Sequence, residues 1–220
     1  MTALRPPPVT LGGRFVRLEP LSIALLPELQ RAIAHPAVFA GGYGGGPAAL
    51  RTDVAGFATW AAGYYQWTAL PYAVHLVGGP HDGDLVGTST LGDLELDRES
   101  AHLGWTAYDP RVWGTAVNAE TKFLLLQAAF DHGFGRVKIQ ADAANDRSRA
   151  AIAGIGATFE GIIRRDRPRA DGSWRDTAVS SVLIEEWPRV RTRLRARLEL
   201  GGDRAVDYRT ERAPLVAANA

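Results

Sequence analysis

Residues 110–118 read Pro110-Arg111-Val112-Trp113-Gly114-Thr115-Ala116-Val117-Asn118, set between a strand-like run, Ala101 to Tyr108, and a long apolar helix-like run, Glu120 to Phe134. A strand that stops at a proline, turns through small residues and feeds a helix gathers unpaired backbone N–H groups at one spot. There the helix dipole also favours negative charge, so the stretch reads as a place to hold a phosphate. Alone it is a weak signal. It lacks the Gly-Lys-Ser/Thr ending of a nucleotide P-loop and the three glycines of a dinucleotide fold, and a plain connecting turn is the simpler account of it in isolation.

Downstream, Phe123, Leu124, Leu126 and Phe130 recur at helical spacing from Asn118 to Phe134, His132-Gly133 is a stop signal, and Arg136 to Ala141 reads as a strand. Strand, helix and strand form a crossover unit with two parallel strands. Asn145 or Asp146 opens another helix through about Gly154. Thr158 to Arg165 and Thr177 to Ile184, joined by the polar loop Asp166 to Arg175, form a closing hairpin, and Trp187-Pro188 leads into a short basic amphipathic helix. Upstream, Tyr72 to Val77 and Asp84 to Leu91 precede Ala101 to Tyr108 in an antiparallel meander, with turns at Gly78 to Gly83 and Asp93 to Glu99. Before them come a strand at Arg14 to Glu19 and a helix capped by Ser22 and ended by His35-Pro36. A flexible glycine loop, Gly41 to Pro47, then leads to a helix from Leu50 to Trp67. Residues 10–194 form one domain, 1–9 a Pro-rich extension, and 201–220 an expected unstructured tail.

The 220 residues suit a single domain with one substantial core. With 25 basic and 24 acidic residues, no general attraction to nucleic acid or to an anionic membrane is implied. The arginines between Arg164 and Arg197 alternate with apolar and acidic residues and read as solvated faces. The absence of cysteine excludes a disulfide framework, a thiolate metal site and a cysteine nucleophile, and suits a reducing compartment. No metal site is expected. Met1 to Pro8 lacks the apolar core of a signal peptide, and no apolar run has the length of a membrane span, so a cytoplasmic protein is expected.

The order of elements, with His102-Leu103-Gly104-Trp105, Pro110 to Asn118 followed by Glu120, Asn145-Asp146-Arg147-Ser148 and Ile155-Gly156-Ala157, resembles the GNAT superfamily of acyl-coenzyme A transferases, within it the ribosomal-protein N-terminal acetyltransferases. The resemblance spans roughly Thr10 to Leu194. It implies an α/β (α+β) fold whose mixed, mostly antiparallel sheet has about seven strands, splays at its centre and is flanked by about four helices. It further implies an acetyl-CoA dependent N-acetyltransferase acting on a primary amine, a small-molecule amine or a peptide N-terminus. Nucleic acid and membrane are not expected as partners, and a homodimer is compatible with the family. The alternative is a GNAT-fold module that binds acyl-CoA without catalysis, suggested by Trp113 where relatives carry a basic residue and Asn118 where they carry a small one.

By the same resemblance, pyrophosphate rests on backbone N–H groups of about Gly114, Thr115, Ala116, Val117 and Asn118. Pantetheine pairs with the edge formed by Trp105, Thr106, Ala107 and Tyr108, and Asn145 touches it from the other side or simply caps a helix. Arg111 falls out of register with the motif arginine. His102 is the candidate base, or a hydrogen-bonded structural histidine; Glu99 is the reserve. Ser148 is the candidate proton donor to the leaving thiolate, or a residue that satisfies the first turn of its helix. Trp60, Tyr64, Tyr65 and Trp67 form either core or acceptor wall, and Trp174-Arg175-Asp176 closes the other side or is a surface pair.

Overall fold

The computed structural model describes residues 2–200 and 205–209. Strand β1 (Leu11–Gly12) and β2 (Val16–Pro20) are followed by α1 (Leu26–Ile33), α2 (Pro36–Ala40) and α3 (Val54–Tyr64). The meander β3 (Leu70–Leu76), β4 (Leu85–Glu95) and β5 (Ser100–Tyr108) leads through the phosphate turn to α4 (Ala116–Asp131). Next come β6 (Arg136–Asp142), α5 (Asp146–Ile155), the hairpin β7 (Thr158–Pro168) and β8 (Trp174–Leu183), and α6 (Trp187–Glu199).

All eight strands form one sheet in the order β1-β2-β3-β4-β5-β6-β8-β7, antiparallel except between β5 and β6. The strand beyond the expected seven is the two-residue β1. Among the described residues the α-helices number six rather than about four. His35-Pro36 ends α1 but also starts α2: Pro36 sits in the first turn, where its missing N–H costs nothing, and the His35 ring accepts the Ala37 N–H at 3.1 Å. Ser22 makes no side-chain cap and leads into a short 3-10 turn. The next helix starts at Val54, not Leu50, because Asp53 accepts the Gly56 N–H at 2.7 Å.

The period-two alternation of the strands sorts side chains onto two faces. Val74 and Leu103 join Leu125, Leu126 and Phe134 of the α4 side, while Ala73 and Ala107 join Leu29, Ile33, Phe39 and Phe57 beneath α1 to α3. Glu120 is buried in the second turn of α4, where its carboxylate accepts the N–H groups of Arg14, Phe15 and Val16 at 2.8, 2.6 and 2.8 Å. The charge is held by three backbone donors, so this glutamate anchors the start of β2 to the helix.

Two features of the sheet position the site. Strand β5 pairs with β6 only at Ser100, Ala101 and His102, while β6 runs on with β8 to Asp142 and β5 runs on with β4 to Tyr108. The sheet is therefore split from Gly104 onward. A bulge places Trp105 and Thr106 opposite Ser89 alone, with Trp105 at φ +48°. Part of the expected tail is structured: Val206 is buried, the Tyr208 hydroxyl donates to Asp84 at 2.7 Å, and Arg209 donates to the carbonyls of Arg111 and Gly114.

Candidate active site

The phosphate turn is built by local capping. Asp109 accepts the Arg111 N–H at 2.8 Å, Gly114 takes φ +72°, and Thr115 caps α4 by accepting from Val117 at 3.4 Å. Gly114, Thr115 and Asn118 then line a cavity of about 330 Å³ that continues along Trp105, Thr106, Ala107 and Tyr108 of the split β5 edge. Ala116 and Val117 do not line it, Val117 being buried in the core.

Arg111 is bound in a bidentate pair with Asp109, at 2.6 to 3.1 Å, lies 4.0 Å from the Tyr208 ring and lines neither this cavity nor the one beside it. Positive charge reaches the turn from elsewhere. The Arg147 guanidinium of α5 sits 3.4 Å over the Trp113 ring, and both residues line the cavity. The indole donates to the Tyr108 carbonyl at 3.0 Å, so Trp113 is fixed as a platform for that cation. The basic residue missing from the turn is thereby supplied by a neighbouring helix, which the sequence does not disclose.

Asn145 fulfils the capping reading. Its Oδ1 accepts the Ser148 N–H at 2.9 Å and its Nδ2 donates to the Gly41 carbonyl at 2.6 Å, which ties α5 to the loop after α2. Asn145 and Ser148 both line the cleft.

An adjoining cavity of about 240 Å³ shares Gly42, Tyr64, Gly104, Trp105, Gln140 and Arg175 with the first and reaches His102. His102 is buried, with Nδ1 3.0 Å from Asp93 Oδ2 and its ring against Trp105. Asp93 is itself held: the Gln66 amide donates to Oδ1 at 2.5 Å and accepts the Asp93 N–H at 3.0 Å. The hydrogen bond from His102, reinforced by Gln66 and Lys138, keeps the Asp93 carboxyl far below the usual carboxylate range despite partial burial. Burial lowers the His102 pKa, and Asp93 offsets part of that. An ionised Asp93 selects the tautomer with hydrogen on Nδ1, leaving the lone pair of Nε2 without a partner.

Asp93 was hidden in the sequence as a turn residue. Strand β4 in fact extends to Glu95, and Gly92 pairs with His102, which brings the carboxylate beside the ring. Gly104 is required there, since a Cβ would meet His102 Nε2 at 2.8 Å. The reserve base Glu99 stands in a left-handed turn before β5 and lines neither cavity.

The model of the acetyltransferase (GNAT) domain matches residues 16–158. The chain belongs to the GNAT acetyltransferase family. A GCN5-related N-acetyltransferase from Brucella melitensis is 28% identical with a TM-score of 0.78, over 89% of this chain and 87% of its own. A candidate acetyltransferase from T. thermophilus is 33% identical with a TM-score of 0.76, over 90% of this chain and 100% of its own. RimJ of Mycobacterium smegmatis, solved in complex with CoA-disulfide, shares the fold at a TM-score of 0.71 and 22% identity, over 88% of this chain and 97% of its own. No functionally curated protein shows significant similarity to the chain.

In this GNAT domain the aromatic cluster is mainly core. Trp60 packs on Phe39, Phe57, Tyr43, Tyr64 and Tyr65, and only Tyr43 and Tyr64 reach the cleft. The Tyr64 hydroxyl accepts the Gly44 N–H at 3.3 Å, and burial pushes its pKa up to about 12. Of Trp174-Arg175-Asp176 only Arg175 enters the cleft: Trp174 is exposed under Arg165, and Asp176 accepts the Arg165 N–H.

Sequence reasoning also passed over Lys122, two residues after Glu120. It is buried beneath the bulge, donating to Thr106 Oγ1 at 2.5 Å and Ser89 Oγ at 3.1 Å, and burial lowers its pKa to about 7. Among the described residues no group of three His, Asp or Glu is placed to hold a metal, and no helix is long and apolar enough to cross a membrane.

Proposed function

We propose that this GNAT protein is an acetyl-coenzyme A dependent N-acetyltransferase acting on a primary amine, with His102 as its base and Asp93 as the residue that positions it. The observation that carries the reading is a continuous cleft. The capped phosphate turn, the open β5 edge and His102 with its unpartnered Nε2 lie along two adjoining cavities.

The residues present fit coenzyme A, which supplies the acyl group activated as a thioester. Backbone N–H groups of the turn and the Arg147 guanidinium suit its pyrophosphate, and the unpaired β5 edge suits the amides of its pantetheine arm as an added strand. Backbone N–H of the bulge at Trp105 and Thr106 is the candidate oxyanion donor. His102 Nε2 takes a proton from the acceptor ammonium, the neutral amine forms the C–N bond at the thioester carbonyl, and as the C–S bond breaks Ser148, on the cleft wall, gives a proton to the leaving thiolate. A peptide N-terminus or a small amine satisfies this chemistry.

The test has two parts. Acetyl-CoA at a hundredfold its Kd stabilises the native protein by about 2.7 kcal/mol, read as a rise in Tm. A thiol-release screen against amines and short peptides then reads turnover. No thermal shift at millimolar acetyl-CoA overturns the reading; a shift without thiol release for any acceptor favours the non-catalytic module instead.

A further inference from the structure

The cavity that reaches His102 carries an unusual charge balance. Its far wall is made by Arg167, Arg169 and Arg175 of the β7–β8 hairpin, and among the described residues no carboxylate lines it. Two of the three are matched from outside: Arg169 Nη2 lies 2.7 Å from Asp142 Oδ2, and Arg167 Nε lies 3.4 Å from Asp166 Oδ2. Arg175 is different. It is half-buried, and its Nε is shielded from solvent without a hydrogen-bond partner. A buried donor left in that state is unfavourable until something completes it.

The hairpin holds this arrangement in place. Arg167 and Arg175 are paired across the β7–β8 ladder, just beyond a bulge of β7 in which Arg165 takes φ +51°. The carboxylates that face Arg175 each hold another partner: Asp142, the stronger in effect, lies 2.7 Å from Arg169 Nη2, and Asp166 accepts from the Thr177 hydroxyl at 2.7 Å, while Asp176 accepts from the Arg165 N–H at 2.7 Å. Arg175 lines both cavities with its Nε still without a hydrogen-bond partner, and the planar donors of a guanidinium match the oxygens of a carboxylate or phosphate.

We infer that the acceptor is an amine carrying an anionic oxyacid group, carboxylate or phosphate, which Arg175 grips with Arg167 beside it while the amine faces His102. This rests on the acetyltransferase reading above and narrows its acceptor. The cavity, about 240 Å³, is smaller than the roughly 300–1,000 Å³ of sites for drug-sized ligands, so it takes a small acceptor or the end of a longer one. Polyamines fit poorly, since a second ammonium meets guanidinium groups without a lining carboxylate.

The experiment uses the full chain and acceptor pairs that differ only in the anion. These are glycine against glycinamide, which reads carboxylate, and O-phosphoethanolamine against ethanolamine, which reads phosphate, with spermidine as the polycation. Thiol release from acetyl-CoA is measured for each, and calorimetry measures binding to CoA-saturated protein. The charged member of one pair is expected to lead by tenfold or more in kcat/KM and in affinity. Arg175→Gln is expected to erase that preference chiefly through KM, and Arg175→Lys to restore part of it. Equal behaviour of both members, preference for spermidine, or an unchanged preference in Arg175→Gln overturns the inference. An absent acetyl-CoA thermal shift would instead remove the acetyltransferase reading beneath it, whereas a retained shift without charge discrimination removes this inference alone.

Discussion

Replacing Asp93 by asparagine is an almost isosteric change whose effect follows from three hydrogen bonds. In the native site Gln66 accepts the Asp93 N–H and donates to Oδ1, so the amide of Gln66 has a fixed orientation. The asparagine must therefore keep its carbonyl oxygen toward Gln66 and turn its NH2 toward His102 Nδ1, in place of the carboxylate oxygen 3.0 Å away. Nδ1 then becomes the acceptor, the ring hydrogen moves to Nε2, and Nε2 no longer carries the lone pair that takes a proton. General-base catalysis contributes about 10²–10⁴-fold, which at ~1.4 kcal/mol per decade raises the barrier by about 3–5 kcal/mol.

The assay is thiol release under acetyl-CoA saturation between pH 6 and 9. The expected result is a kcat reduced about a hundredfold or more with the KM for acetyl-CoA unchanged. In the native protein burial keeps the His102 pKa below its ordinary 6.5, so the acid limb of kcat/KM falls at lower pH than for a solvated histidine. Because the Asp93 pKa is depressed in the folded state, its contribution to stability is present above its ordinary 3.8 and fades as pH falls through the folded value. Asp93→Asn removes that acid dependence as well. An Asp93→Asn enzyme with half or more of native kcat would refute the tautomer argument and with it the base.

Two further substitutions test other parts of the cleft. Arg147→Ala removes the cation stacked on Trp113; a charge-assisted phosphate contact is worth about 1.5–3 kcal/mol, so the KM for acetyl-CoA rises about tenfold to a hundredfold and becomes less sensitive to salt, whereas a change within twofold counts against the arginine. Lys122→Met removes a buried ammonium whose pKa falls from 10.5 to about 7. Between those values the unfolded chain holds a proton that the native one lacks, so native stability rises with pH across that window. The variant is therefore expected to melt several degrees higher at pH 6, with the gain gone by pH 10.5, and equal Tm values at pH 6 would refute the desolvation argument.

What was legible in the sequence was the part governed by local chemistry. Pro110 just after the strand and Gly114 at positive φ mark the phosphate turn within a few residues of one another, and the structure adds Thr115 as the cap of α4. The strand-like run of β5, buried on both faces, and the apolar spacing of α4 likewise place the crossover. The crucial charges were not legible, because tertiary contact gives them their meaning. Arg147 reads as a surface residue until α5 docks on Trp113, and Asp93 reads as a turn residue until the register of β4 and β5 sets it beside His102. Among the hairpin arginines Arg167 reads as part of a solvated face and Arg175 as either a cleft wall or half of a surface pair; the β7–β8 register pairs the two, and both line the cleft.

The docked segment from Ala205 to Arg209 bears on the order in which the protein acquires its site. Tyr208 reaches Asp84, 124 positions earlier in the chain, and Arg209 reaches Gly114, 95 positions earlier. Contacts of such sequence separation form late, because the loop between them must close first. All eight strands and α4 precede this brace in the chain. The phosphate turn thus receives its last support, the contacts of Arg209 to Arg111 and Gly114, from a segment that closes long loops of the chain.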